Sequence, residues 1–387
     1  MVKVDITIIG GGVIGCAIAY ELSKFYPDRE IILLEKNPAL GEEQSGRNSG
    51  VIHSGIYYDN APLKRKLCIE GNKLLYSFCH QYNIPCVKTG KFIVATNDAE
   101  DKIVDKYLKN ALLNGLVDVK KVTAKEVKEK EPNVNVKTAL WCPDTGIIDV
   151  ATYIHTLAKL AKQHKVEILT QAKVVKIFPV DNSFEITVEY KNKTFETFKS
   201  NIVINSAGLY SDEIAKMVNP NVKFEIIPVR GEYYRFDSSS RKEINVFGTN
   251  IYPVGETYYI DGKEYFGVGV HLTPTFELAQ DNKKVVGRYV LVGPNSVPVK
   301  NKADYENGRK NPEYFVQQIN KFFPNLTVSD LQKDYAGIRA KLKHTDDFVI
   351  QKDTLYPNMI NLIGIDSPGL TSSLAIAKYV RELLMTN

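Results

Sequence analysis

The chain has 387 residues, 44% hydrophobic and 25% charged, a globular composition that excludes disorder and exceeds what one simple core needs. Its net charge of +5 comes without any Lys/Arg block, which excludes a nucleic-acid arm and leaves a small anion or an acidic membrane surface as the partner such an excess favours. The five cysteines (Cys16, Cys68, Cys79, Cys86, Cys142) form no C-x-x-C pair and no Cys/His ligand spacing, so no metal is expected and a reducing, cytoplasmic compartment is.

The first strand, 4–9, starts beside Met1, so no signal or transit peptide is expected. No apolar run reaches the ~18 residues of a membrane span, so membrane contact is expected only as peripheral. A helix with small residues facing the turn covers 13–24, and an apolar strand follows at 30–35, completing β-α-β at the size of half a Rossmann fold. Residues 41–58, rich in Gly, Ser and Asn, read as loop. A helix over 63–81 carries Leu67, Leu74, Leu75 and Phe78 on one face, followed by a strand at 91–95 and helices near 100–114 and 124–130, the last stopped by Pro132. After the turn 143–146 come a helix at 150–163 and strands at 166–169, 174–178, 184–190 and 201–205. From 222 to 298 apolar and polar residues alternate with many Tyr and Val, the pattern of antiparallel sheet. The C-terminus returns to strand (359–363), glycine loop and helix (372–384). The expected architecture is α/β: a discontinuous Rossmann-like domain (1–85, 146–224, 331–387) with a mixed or antiparallel β-sheet cap from two insertions (86–145, 225–330).

Gly10-Gly11-Gly12-Val13-Ile14-Gly15 is G-x-G-x-x-G between a strand and a helix. Gly10 permits the tight turn, Gly12 lets backbone approach a pyrophosphate, and Gly15 lets helix and strand pack closely. The helix N-terminus offers N–H groups to phosphates, and Glu35, ending the second strand, is placed to accept from a ribose diol. FAD and NAD share this geometry. Two further turns favour FAD: Ala207-Gly208 after the buried strand 202–206, and Gly364–Thr371 near the C-terminus, whose amides face a flavin pyrimidine carbonyl in this reading. A cofactor touched by both ends of the chain is long and extended.

The glycine motif with Glu35, the loop 45–58 and the C-terminal turn resemble the D-amino-acid oxidase-like FAD-dependent oxidoreductases. Within them, 48–58, Leu67-Cys68 with Gly71, 90–95, 143–149, 228–233, 269–274, 293–295 and Gly337-Ile338-Arg339-Ala340 resemble the L-2-hydroxyglutarate dehydrogenase/oxidase subfamily over essentially the full length. The polar stretch 255–264 is longer than that pattern. The resemblance implies that Gly10, Gly12, Val13, Ile14, Gly15, Glu35, Lys36, Ser45, Asn48, Ser49, Val174, Ala207, Gly208, Gly337, Pro368, Gly369, Leu370 and Thr371 hold FAD. It implies hydride transfer from Cα of L-2-hydroxyglutarate to flavin N5, giving 2-oxoglutarate, with electrons passing to a quinone, another acceptor or O2.

Such a reaction needs a carboxylate anchor and a base. Arg339 is the expected anchor, because guanidinium grips carboxylate bidentately and the resemblance puts this arginine against the substrate. His53 and His271 compete for the base, His53 being alternatively a site of covalent flavin linkage and His271 alternatively a core histidine. His80, His155, His164 and His344 are expected on solvated faces. Arg47, Lys91 and Arg230 are the candidates for a second carboxylate, and Tyr57, Tyr234 and Tyr252 for hydroxyl donors. Alternatives within the fold are glycerol-3-phosphate dehydrogenase and amine or amino-acid oxidase; a different class is a non-catalytic flavin-binding redox sensor.

Overall fold

The computed structural model describes residues 2–58, 61–260, 262–279 and 283–386. Lys3–Ile9 is a central strand, parallel to Ile31–Leu34 on one side and to Phe195–Asn205 on the other. Glu167–Leu169 extends the sheet beyond Ile31–Leu34, and Met359–Ile363 extends it beyond Phe195–Asn205, both in parallel. Strands covered on both faces read as unbroken apolar runs, and Ile31–Leu34 and Met359–Ile363 are buried at every position. An antiparallel ribbon, Ala172–Val180 with Ser183–Tyr190, lies against the first half of Phe195–Asn205. Helices Val13–Phe25, Pro62–Gln81, Val150–Gln163 and Gly369–Met385 pack with the sheet around Ile6, Ile18, Leu33, Leu75, Leu157, Leu362 and Ile376. Each such side chain, fully buried, contributes about 1.5–3 kcal/mol.

The last helix starts at Gly369, directly on the glycine turn and three positions before the sequence places it. The stretch 41–58 is not all loop: Val51–Ile52 pairs with Gly146–Ile148, which also pairs with Cys86–Val87. No helix among the described residues is long and apolar enough to cross a membrane.

A second sheet has nine strands and gathers both insertions, because Lys91–Ala95 runs parallel to Asn250–Pro253. It also contains Gln332–Leu342, which the expected boundary at 331 assigns to the first domain. That strand pairs along its length with Ile226–Asp237, so backbone pairing, which the local sequence does not display, fixes its membership. The longer polar stretch is a separate hairpin, Glu256–Ile260 with Lys263–Gly267; its residue 261 lies outside the described residues. Tyr265 in this hairpin is buried and donates to the Lys343 carbonyl (2.9 Å).

Register decides which side chains meet the first domain. Val229 pairs with Arg339 and Arg230 with Ile338. Side chains alternate faces along a strand, so Arg230 and Arg339 project to opposite sides of one sheet.

Candidate active site

The nucleotide end is built by backbone that only glycine permits. Gly10 has φ +108°, and a Cβ there would lie 2.5 Å from the Ser206 carbonyl oxygen; a Cβ on Gly15 would lie 1.9 Å from the Gly10 carbonyl. The Ser45 hydroxyl accepts from Val13 N–H (2.9 Å), tying the 41–50 loop to the helix start. Glu35 accepts from the Gly11 (2.7 Å) and Asn37 (2.8 Å) amides. Burial raises its pKa, with those amides opposing the shift.

A cavity of about 540 Å³ runs from this turn to the cap. Gly10, Gly12, Val13, Ile14, Glu35, Lys36, Ser45, Asn48, Ser49, Val174, Ala207 and Gly208 line it, as do Gly337, Arg339, Pro368, Gly369, Leu370, His53, Tyr252 and His271. Its size is that of a ligand or cofactor site. Besides Lys91 and Tyr234, four expected residues do not line it. Gly15 serves helix packing. Thr371 is fully buried and its hydroxyl accepts from the His53 amide (2.9 Å), so it supports the histidine. Tyr57 sits behind the wall, edge-on to Tyr107 with centroids 5.4 Å apart.

Arg230 is the fourth. It is 1% exposed and bound by Glu232 (2.8 Å), Asp304 (3.4 Å) and the Asn307 carbonyl (2.7 Å). It is a neutralised structural charge, not a substrate partner, and Tyr234 donates to the Lys310 carbonyl (3.1 Å) in the same region.

Arg339 faces the cavity with both terminal nitrogens on the Asn295 carbonyl (3.1 Å each) and one near the Ser296 hydroxyl (3.3 Å). Its partners are neutral, so its charge stays available to an anion. His53 Nε2 lies 3.2 Å from the Ser367 hydroxyl, and the His53 carbonyl accepts from Asn72 (2.9 Å). His271 Nδ1 lies 2.8 Å from the Gly269 carbonyl, which requires the proton on Nδ1 and leaves Nε2 as a bare acceptor. The His271 ring stacks on Tyr252 with centroids 3.6 Å apart. Burial pushes both histidines down to about 3, helped by the positive charge of Lys91, so both imidazoles are neutral at neutral pH. The other four histidines are exposed.

A family model described as FAD dependent oxidoreductase, DAO, matches residues 5–383. The chain belongs to that family. It is 32% identical over 419 residues to the mitochondrial L-2-hydroxyglutarate dehydrogenase of Caenorhabditis elegans, covering 98% of this chain and 92% of the relative. It is 32% identical to the glycerol 3-phosphate dehydrogenase of Caloramator mitchellensis, covering 98% of this chain and 73% of that protein. The L-alpha-glycerophosphate oxidase from Mycoplasma pneumoniae, with FAD bound, superposes with a TM-score of 0.84 at 30% identity, over 100% of this chain and 96% of that one.

This FAD-dependent oxidoreductase presents residues that fit its cofactor. The approach at Gly12 meets nothing closer than the Ser45 hydroxyl at 3.0 Å, Glu35 lines the same cleft, and the C-terminal turn closes the other end. That turn contains a charge cluster the sequence reading did not single out. Asp366, which lines the cavity, binds Lys64 (2.6 Å) and Lys341 (3.5 Å), all three buried. Burial works to raise the Asp366 pKa, but the two lysines outweigh it and hold the carboxyl below its usual range. Ser367, within the expected C-terminal turn, and Tyr233 also line the cavity. Only the helical phase of 62–81 hinted at the cluster: Lys64 lies one turn before Leu67 and Cys68, on the buried face.

Proposed function

We propose that this oxidoreductase converts L-2-hydroxyglutarate to 2-oxoglutarate. One observation carries the reading: a guanidinium with only neutral partners shares a cavity with two neutral imidazoles and the C-terminal glycine turn. Arg339 grips the carboxylate next to the reacting carbon, fixing the Cα hydrogen's direction. His53 takes the hydroxyl proton at Nε2, the atom that meets Ser367 beside the cavity, while the Cα hydride departs and the C–O bond becomes C=O. FAD, when bound, supplies the two-electron acceptor for that hydride. His271 Nε2 is buried, which favours a supporting role for that ring. Electrons then leave to a quinone, another acceptor or O2. The likeness to L-2-hydroxyglutarate dehydrogenases supports the substrate; the glycerol 3-phosphate dehydrogenase, also 32% identical, supports a second reading, oxidation of a phosphorylated alcohol.

The test is anaerobic titration of the flavin-loaded protein with L-2-hydroxyglutarate, its D-isomer, L-lactate and glycerol 3-phosphate. Bleaching of the flavin band by the L-dicarboxylate alone is expected, slowed in His53→Asn. Bleaching by glycerol 3-phosphate alone establishes the second reading, and no bleaching by any of them removes both.

A further inference from the structure

Lys91 opens the strand Lys91–Ala95 of the cap sheet and is 1% exposed. Its neighbours on that face follow from register: Lys91 pairs with Cys142 and Asn250, and Ile93 pairs with Tyr252. The ammonium lies 4.5 Å from the Tyr57 ring centre and 4.9 Å from that of Tyr252. Among the described residues no carboxylate and no hydrogen-bond acceptor reaches it. The thiols beside it, Cys68 and Cys142, are pushed up to about 12 by burial and are neutral.

Ring faces attract a cation, but they do not replace a counter-charge in a dry interior, where an unpaired ion is held at a penalty of several kcal/mol. The surroundings share the imbalance. The Tyr57 hydroxyl, His53 Nδ1 and His271 Nε2 are buried without partners. Ordered water satisfies hydrogen bonds, yet it brings no charge. Lys91 itself stands behind the wall of the cavity that holds Arg339; Tyr252, on whose ring the ammonium rests, and His271, stacked on Tyr252, line it.

We propose that Lys91 supplies the second cation of a dicarboxylate site: the far carboxylate of the substrate is the anion this ammonium lacks. The inference rests on the reading of the substrate as L-2-hydroxyglutarate and assigns its specificity to one residue. Arg339 holds the carboxylate at the reacting end, and Lys91 selects acids with a second one. Arg230 is excluded by its own carboxylates; Arg47, which lines the cavity and whose partners are neutral like those of Arg339 (the Glu42 and Ala336 carbonyls at 3.1 and 3.3 Å and the Tyr305 ring at 4.5 Å), is the rival cation.

The experiment compares wild type with Lys91→Met and Lys91→Arg, all flavin-loaded, for reduction by L-2-hydroxyglutarate and by the monocarboxylate L-2-hydroxybutyrate. A charge-assisted contact is worth roughly 10- to 100-fold in binding. Lys91→Met is therefore expected to lower the preference for the dicarboxylate by about that factor, through Kd more than through the limiting rate of bleaching, and Lys91→Arg to recover part of it. An unchanged preference overturns the proposal, as does equal weakening towards both acids. Binding of glutarate, a dicarboxylate with no hydroxyl to oxidise, is read in parallel from the flavin absorbance. If wild type is not reduced by L-2-hydroxyglutarate, the substrate reading fails, and the proposal is still decided by whether Lys91→Met loses glutarate. Should Lys91→Met not retain flavin, Lys91→Gln takes its place in both arms.

Discussion

Arg230 and Lys91 are cations on the same cap sheet, each 1% exposed, and they are treated in opposite ways. Arg230 has a carboxylate that is itself fully buried, a second one at the rim, and backbone carbonyls; Asn295 and the Lys310 amide complete the coordination of Glu232 (2.8 and 2.9 Å). Lys91 has two tyrosine faces and, among the described residues, no anion. Lys64 and Lys341 follow the Arg230 pattern, sharing Asp366. Neutralised buried charges hold two segments together; a charge left without its partner beside a cleft is poised for something that arrives.

The largest expected effect tests the neutralised side. Arg230→Met strands Glu232 in the core and should lower the unfolding free energy of the flavin-loaded protein by about 3–5 kcal/mol in denaturant titration. A loss under 1 kcal/mol would erase the distinction between the two regions. Lys91→Met should act in the opposite direction without substrate, raising stability by about 2 kcal/mol, since an uncompensated charge gives way to an apolar side chain of similar length. Destabilisation by that variant would mean that the rings or an ordered water already compensate the ammonium. The smallest effect concerns the neighbouring imidazole. His271 sits at about 3 when folded, against an ordinary 6.5. The unfolded chain therefore takes up a proton first as pH falls. The stability this group contributes is complete above pH 6.5 and drains away towards pH 3, by about 1.4 kcal/mol at pH 5.5. His271→Gln should flatten the acid limb of the stability–pH curve by that amount, and an unchanged limb would mean the ring is not buried neutral.

The same contrast shows how far the sequence could be read. The nucleotide end was legible because its chemistry is local: a glycine spacing, a helix start and an acid at the end of a strand lie within thirty-five residues. The place of Arg339 at the cavity was legible through a short glycine-bounded motif. Arg230 stood among the candidates for a second carboxylate because its motif is equally prominent, and only pairing with Ile338 shows that it is one position out of phase with Arg339. Thr371 and Tyr57 lie near the right neighbours but one layer behind them. The Lys64–Asp366 pair spans 302 positions, beyond any spacing rule. The isolation of Lys91 was invisible for a different reason: the lack of a partner is a property of space, which composition does not record.

The strand Gln332–Leu342 works as a ruler. Arg339 and Lys341 are successive positions on one face of it, so the backbone spacing between the cavity guanidinium and the charge clamp on the C-terminal turn is set by the pleat at about 7 Å. Pairing with Ile226–Asp237 stiffens this bar, so any tilt of the cap carries both marks together. Evolution can alter the groups at the two marks freely, but a single residue inserted between them would turn one away and separate the cavity guanidinium from the charge clamp.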